Sequence, residues 1–193
     1  MDKIRKLITE ALGIQNNIEK MTFIIMNWTH RNIIFNLELM NDGTEHYLPI
    51  ATTISDSNII NDTKISIIKT NIFFKNTNEE KIGGEFNPKN ITRNKNGTFE
   101  IEIRLNIHTD NINSDLVKNK IQSVVSHELN HAFVFVKKYN KKSKSQVYNK
   151  VKGMLGFEFQ TVPELKYFVE MFYLNLPEEM QARVQETGTL LKK

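Results

Sequence analysis

The chain has no cysteine. No disulfide framework is possible, and every thiolate metal site is excluded. A metal held by this chain must take His, Asp or Glu ligands, and that donor set favours a catalytic over a structural site. There is also no apolar run near the 18 residues a membrane helix needs. The N-terminus, Met1-Asp2-Lys3-Ile4-Arg5-Lys6, lacks the apolar stretch and small-residue cleavage site of a signal peptide. The expectation is a protein made and kept in the cytoplasm of a cell, or packed into a particle assembled there. Basic residues exceed acidic ones, 26 against 22, for a net charge of +4, but they are spread out. The densest run, Lys137 to Lys144, lies where a helix C-terminus favours cations. No aromatic–basic interleaving accompanies it, so it makes no strong case for nucleic acid.

With 193 residues, 39% hydrophobic and 25% charged, one domain with a real core is expected. Lys3 to Glu19 reads as a short helix. From Met21 to His108 the signal is β, with Ile- and Phe-rich strands expected at Thr22–Met26, Asn32–Met40, Lys64–Phe74 and Thr98–Ile107. The last is clearest: Phe99, Ile101, Ile103, Leu105 and Ile107 alternate with polar residues, giving one dry and one wet face. Asn96-Gly97 just before it is a type I′ hairpin signal. Gly83-Gly84 marks a flexible or close-approach stretch of backbone. Trp28 reads as core. From Asn113 onward the periodicity is helical, with helices expected at Asn113–Tyr139, Ser145–Leu155, Pro163–Leu174 and from Leu176-Pro177 to about Glu186. The expected fold is α+β: residues 1–110 a mainly β lobe with a twisted antiparallel or mixed sheet, residues 111–193 a helical lobe.

The chemistry concentrates in His127-Glu128-Leu129-Asn130-His131. On a helix the two histidines fall one turn apart on one face, placed to bind a single Zn²⁺. Glu128 is rotated off that axis, where it reaches a water on the metal and takes its proton. This is the chemistry of a peptidase. Asn113, Ser114 and Asp115 supply N-cap residues upstream. A catalytic zinc needs a third protein ligand. A Gly and a His seven and ten residues after the first histidine would give one common arrangement, but Val134 and Lys137 stand there. No histidine follows His131, so a later glutamate is the remaining common solution: Glu158, Glu164, Glu170, Glu178, Glu179 or Glu186. Tyr148 and Tyr173 are candidate hydrogen-bond donors to a tetrahedral intermediate, though each also reads as a core-edge tyrosine. His108, at a strand end, is a candidate lining residue or an ordinary strand-end polar group.

The pairing of His-Glu-Leu-Asn-His-Ala-Phe with the later stretch Phe172 to Arg183 resembles the zincin-like metallopeptidases of gluzincin type encoded by bacteriophages and prophages. The resemblance covers roughly residues 98–186. It implies a sheet with an edge strand bordering the cleft, followed by the active-site helix. It implies one Zn²⁺ per chain on His127, His131 and Glu179, Glu128 as general base, and a protein or peptide substrate. Ala182 three residues on selects Glu179. The Glu-x-Glu-Ala form of some members reads Glu179-Met180-Gln181-Ala182 here, and if the second Glu of that form is the ligand this site is incomplete. Glu178 stays open as the alternative ligand. The alternative implied is a phage virion structural or cargo protein on a zincin scaffold, binding zinc without turnover, with virion proteins as its partners.

Overall fold

A computed structural model describes residues 2–139. Their order is α1 (Asp2–Asn36), a 3-10 turn (Leu37–Met40), β1 (Glu45–Thr53), α2 (Ser57–Thr63), β2 (Ile65–Lys75), β3 (Lys81–Phe86), β4 (Thr92–Arg93), β5 (Phe99–His108) and α3 (Asp115–Tyr139). The architecture is α+β with a mixed five-stranded sheet in the order β1-β2-β5-β3, and β4 also pairs with β5. The helices expected beyond Tyr139 lie outside the described residues, as do Glu158, Glu164, Glu170, Glu178, Glu179, Glu186, Tyr148 and Tyr173. No helix among the described residues is long and apolar enough to cross a membrane.

β5 is the centre of the sheet. It runs parallel to β2 and antiparallel to β3 and β4. Its alternation does what the sequence demands: Phe99, Ile101, Ile103, Leu105 and Ile107 are buried, and the residues between them are wetter. On β2, Ile68, Thr70, Ile72 and Phe74 stand opposite Ile101, Ile103, Leu105 and Ile107 and are buried on the same face. Full burial of each isoleucine contributes about 1.5–3 kcal/mol. The other face carries Arg104 stacked over the Phe73 ring at 4.0 Å and the Lys69–Glu100 ion pair.

Helices α1 and α3 pack together and close over the apolar face of the sheet. α3 contributes Val117, Ile121, Val125, Leu129, Ala132 and Val136, a stripe with steps of three or four residues. Its start is capped by Ser114, whose Oγ accepts from the Val117 N–H at 3.1 Å.

α1 corrects the expected strands at Thr22–Met26 and Asn32–Met40. Both segments lie within one helix and the turn that follows it. The buried residues Ile18, Met21, Thr22, Ile25, Thr29 and Ile33 have helical spacing. A strand would put Phe23 and Ile25 on one face, yet Phe23 is 59% exposed and Ile25 is buried. Composition favoured β, but the period is that of a helix. Trp28 is likewise on the outer side of α1 and 49% exposed, not in the core. The Asn96-Gly97 hairpin forms, but not as type I′, which needs positive φ at both central residues. Only Gly97 has it, at +81°. The Gly97 N–H donates to the Asn94 carbonyl at 3.0 Å, and the Asn94 N–H to the Thr98 carbonyl at 2.8 Å, joining β4 to β5.

Candidate metal centre beside strand β3

The middle of α3 holds the motif. The i, i+4 spacing brings His127 Nε2 and His131 Nε2 to 3.0 Å, with ring centroids 4.6 Å apart and planes at 78°. His131 is buried, 6% exposed, and His127 is half-buried. Two imidazoles bound to a tetrahedral zinc at ordinary bond lengths hold their nitrogens about 3.3 Å apart. The pair therefore needs to open by only a few tenths of an ångström to accept the ion between its Nε2 atoms. Nitrogen donors with no thiolate near them suit a catalytic zinc. Among the described residues no third His, Asp or Glu converges with them, Glu128 included. The expected third ligand, Glu179 or Glu178, lies outside those residues.

Glu128 is 7% exposed and one step round the helix from His127, which turns it toward β3. Its Oε2 accepts a hydrogen bond from the backbone N–H of Phe86 at 2.7 Å. A buried carboxylate needs such a partner.

β3 can come this close because of Gly84. A Cβ built there lies 2.6 Å from Val124 Cγ1, 3.0 Å from Glu128 Cγ and 3.4 Å from the Arg104 carbonyl oxygen. The Gly-Gly signal in the sequence thus marks a close approach at Gly84, whereas at Gly83 a Cβ meets nothing within 4 Å. Two more contacts tie β3 to α3. The Phe86 ring packs edge-on against Phe135 at 6.0 Å, and Lys120 forms an ion pair with Glu80, just before β3. The Phe86 N–H itself was not legible from the sequence, because every residue but proline carries one.

His108 ends β5 on the face away from the helices, since Ile107 next to it is buried under them. Its Nε2 lies 3.1 Å from Glu45 Oε1. It is a strand-end polar group paired across the sheet, apart from the motif.

No match is found among protein-family models, curated proteins or solved structures, so function is argued from the site itself.

Proposed function

We propose that the chain is a zinc-dependent peptidase with a zincin-like fold, of the gluzincin type found in phages and prophages. The observation that carries this is the convergence of His127 and His131 Nε2 at 3.0 Å beside a buried carboxylate one residue along. His127 and His131 hold one Zn²⁺, with Glu179 as third ligand on the strength of the motif resemblance alone. When bound, the ion lowers the pKa of a water and polarises the scissile carbonyl. Glu128 takes the proton of the attacking water and delivers it to the leaving amine. The burial of Glu128 one residue from His127, with its carboxylate held by β3, supports that role. β3 borders the site and, among the described residues, pairs on only one side. An extended peptide laid along it would present a carbonyl to the site. The substrate is accordingly a protein or peptide in extended form, met in the host cytoplasm or in a virion.

The test is a digest of unfolded protein substrates by the zinc-loaded chain and by Glu128→Gln. Hydrolysis by the first and none by the second supports the peptidase. Zinc bound by both, with hydrolysis by neither, favours a virion scaffold that binds the ion without turnover.

A further inference from the structure

We propose that Gly84 and the backbone N–H of Phe86 form a seat that sets the position of the Glu128 carboxylate, with Gly84 acting as a positioning residue for turnover. This rests on the peptidase reading. Three observations converge on it.

The first is that Gly84 serves space and not backbone shape. Its φ is not positive, unlike Gly43 and Gly97, so any residue could adopt its conformation. A glycine inside a strand costs about 0.5–1 kcal/mol relative to alanine. What its missing side chain leaves open is filled by Val124 Cγ1 and Glu128 Cγ. The second is that Phe86, two residues along and on the same face of β3, donates its N–H to Glu128 Oε2. β3 therefore grips the general base at two points, the Cγ by contact and the carboxylate by a hydrogen bond. The third is that α3 is tied to β3 on either side of this point. Phe135 packs on Phe86 toward one end of the helix, and Lys120 pairs with Glu80 toward the other. A methyl group at position 84 cannot be absorbed by sliding α3 freely. It must push Val124 or Glu128, and a shift of Glu128 moves its carboxylate relative to His127 and His131.

The neighbouring glycine supplies the control. Gly83 faces the other side of the strand, and a Cβ there meets nothing within 4 Å. Composition and chain stiffness change alike in Gly83→Ala and Gly84→Ala, and only the second touches α3.

The experiment compares these two variants with wild type in zinc content, in kcat and KM, and in hydrogen exchange of the Phe86 amide. Exchange is read in zinc-loaded and chelated protein alike, so it depends on neither substrate nor turnover. Gly84→Ala is expected to keep one zinc and a KM within about twofold. Its kcat should fall about tenfold to a hundredfold, the usual cost of displacing a reacting group by less than about 1 Å. The Phe86 amide should exchange faster in Gly84→Ala and in Glu128→Ala, and Gly83→Ala should match wild type throughout. Gly84→Ala/Val124→Ala removes the 2.6 Å clash and leaves the approach to Glu128. It is expected to fold and bind zinc yet remain short of wild-type kcat, and it serves where the single variant fails to fold. Wild-type kcat in folded Gly84→Ala or in the double variant overturns the proposal. So does a Phe86 amide indifferent to both Gly84→Ala and Glu128→Ala. If wild type hydrolyses peptides and Phe86 does not respond, this inference alone falls. If Phe86 responds and wild type hydrolyses nothing, the peptidase reading falls and takes the catalytic role of the seat with it.

Discussion

Glu128→Ala and Glu128→Gln should differ in stability while agreeing in activity. In the wild-type chain the Phe86 N–H is buried and donates to Glu128 Oε2 at 2.7 Å. Alanine removes the acceptor that Glu128 offers this buried donor, at a cost of about 1–3 kcal/mol. Glutamine keeps an oxygen at the same reach, so the hydrogen bond survives without the charge. For a chain of this length each kcal/mol moves the melting temperature by about 2–4 °C. The alanine variant should therefore melt roughly 3–10 °C below the glutamine variant. Helix propensity works the other way, favouring alanine by less than about 0.5 kcal/mol, so it cannot produce this order. The assay is thermal unfolding followed by circular dichroism in the presence of a chelator, which removes any stabilisation by bound metal. Both variants should be inactive toward peptides, since neither can accept the proton of the water. Two melting temperatures within a degree of each other would refute the coupling of Glu128 to Phe86. Hydrolysis by Glu128→Gln would remove Glu128 from the mechanism.

Phe99→Ala should cost about 3–5 kcal/mol in urea unfolding, because a fully buried ring is lost from the start of the central strand. That ring also packs edge-on against Tyr139 at 5.5 Å. Lys64 ends α2 in the left-handed region at φ 61°, so Lys64→Gly should raise stability in the same assay by up to about 1 kcal/mol. Asp42 should stay ionised well below the usual carboxylate range, because the His46 side chain and then Thr44 hydrogen-bond to it. A lowered pKa means that whatever stability this turn adds is full above about pH 4 and is lost as the pH falls further. A carboxyl NMR titration checks the direction.

The parts of the fold legible in the sequence are those whose pattern is local. β5 was legible because five apolar residues alternate without interruption, and α3 because its apolar stripe follows a serine cap. β2 was legible by its isoleucines, but its parallel pairing with β5 was not, since pairing depends on the chain as a whole. β1 escaped notice. It carries Pro49, which edge strands tolerate and central ones do not, and among the described residues it pairs on one side only; most of its residues are at least partly wet. β3 escaped because Gly83-Gly84 suppresses strand propensity. In α1, Ile and Phe suggested β by composition while the buried positions kept helical spacing. In the candidate site, the pairing of His127 with His131 was legible because the motif is a spacing on one element. The grip of β3 on Glu128 was half legible: the glycine showed, and the backbone N–H it brings close did not.

The most direct test of the account is the zinc content of the purified chain against its His127→Ala/His131→Ala double variant. One zinc per wild-type chain and none in the double variant is the result expected if the two Nε2 atoms, 3.0 Å apart, hold the ion. Zinc retained at one per chain by the double variant would contradict it.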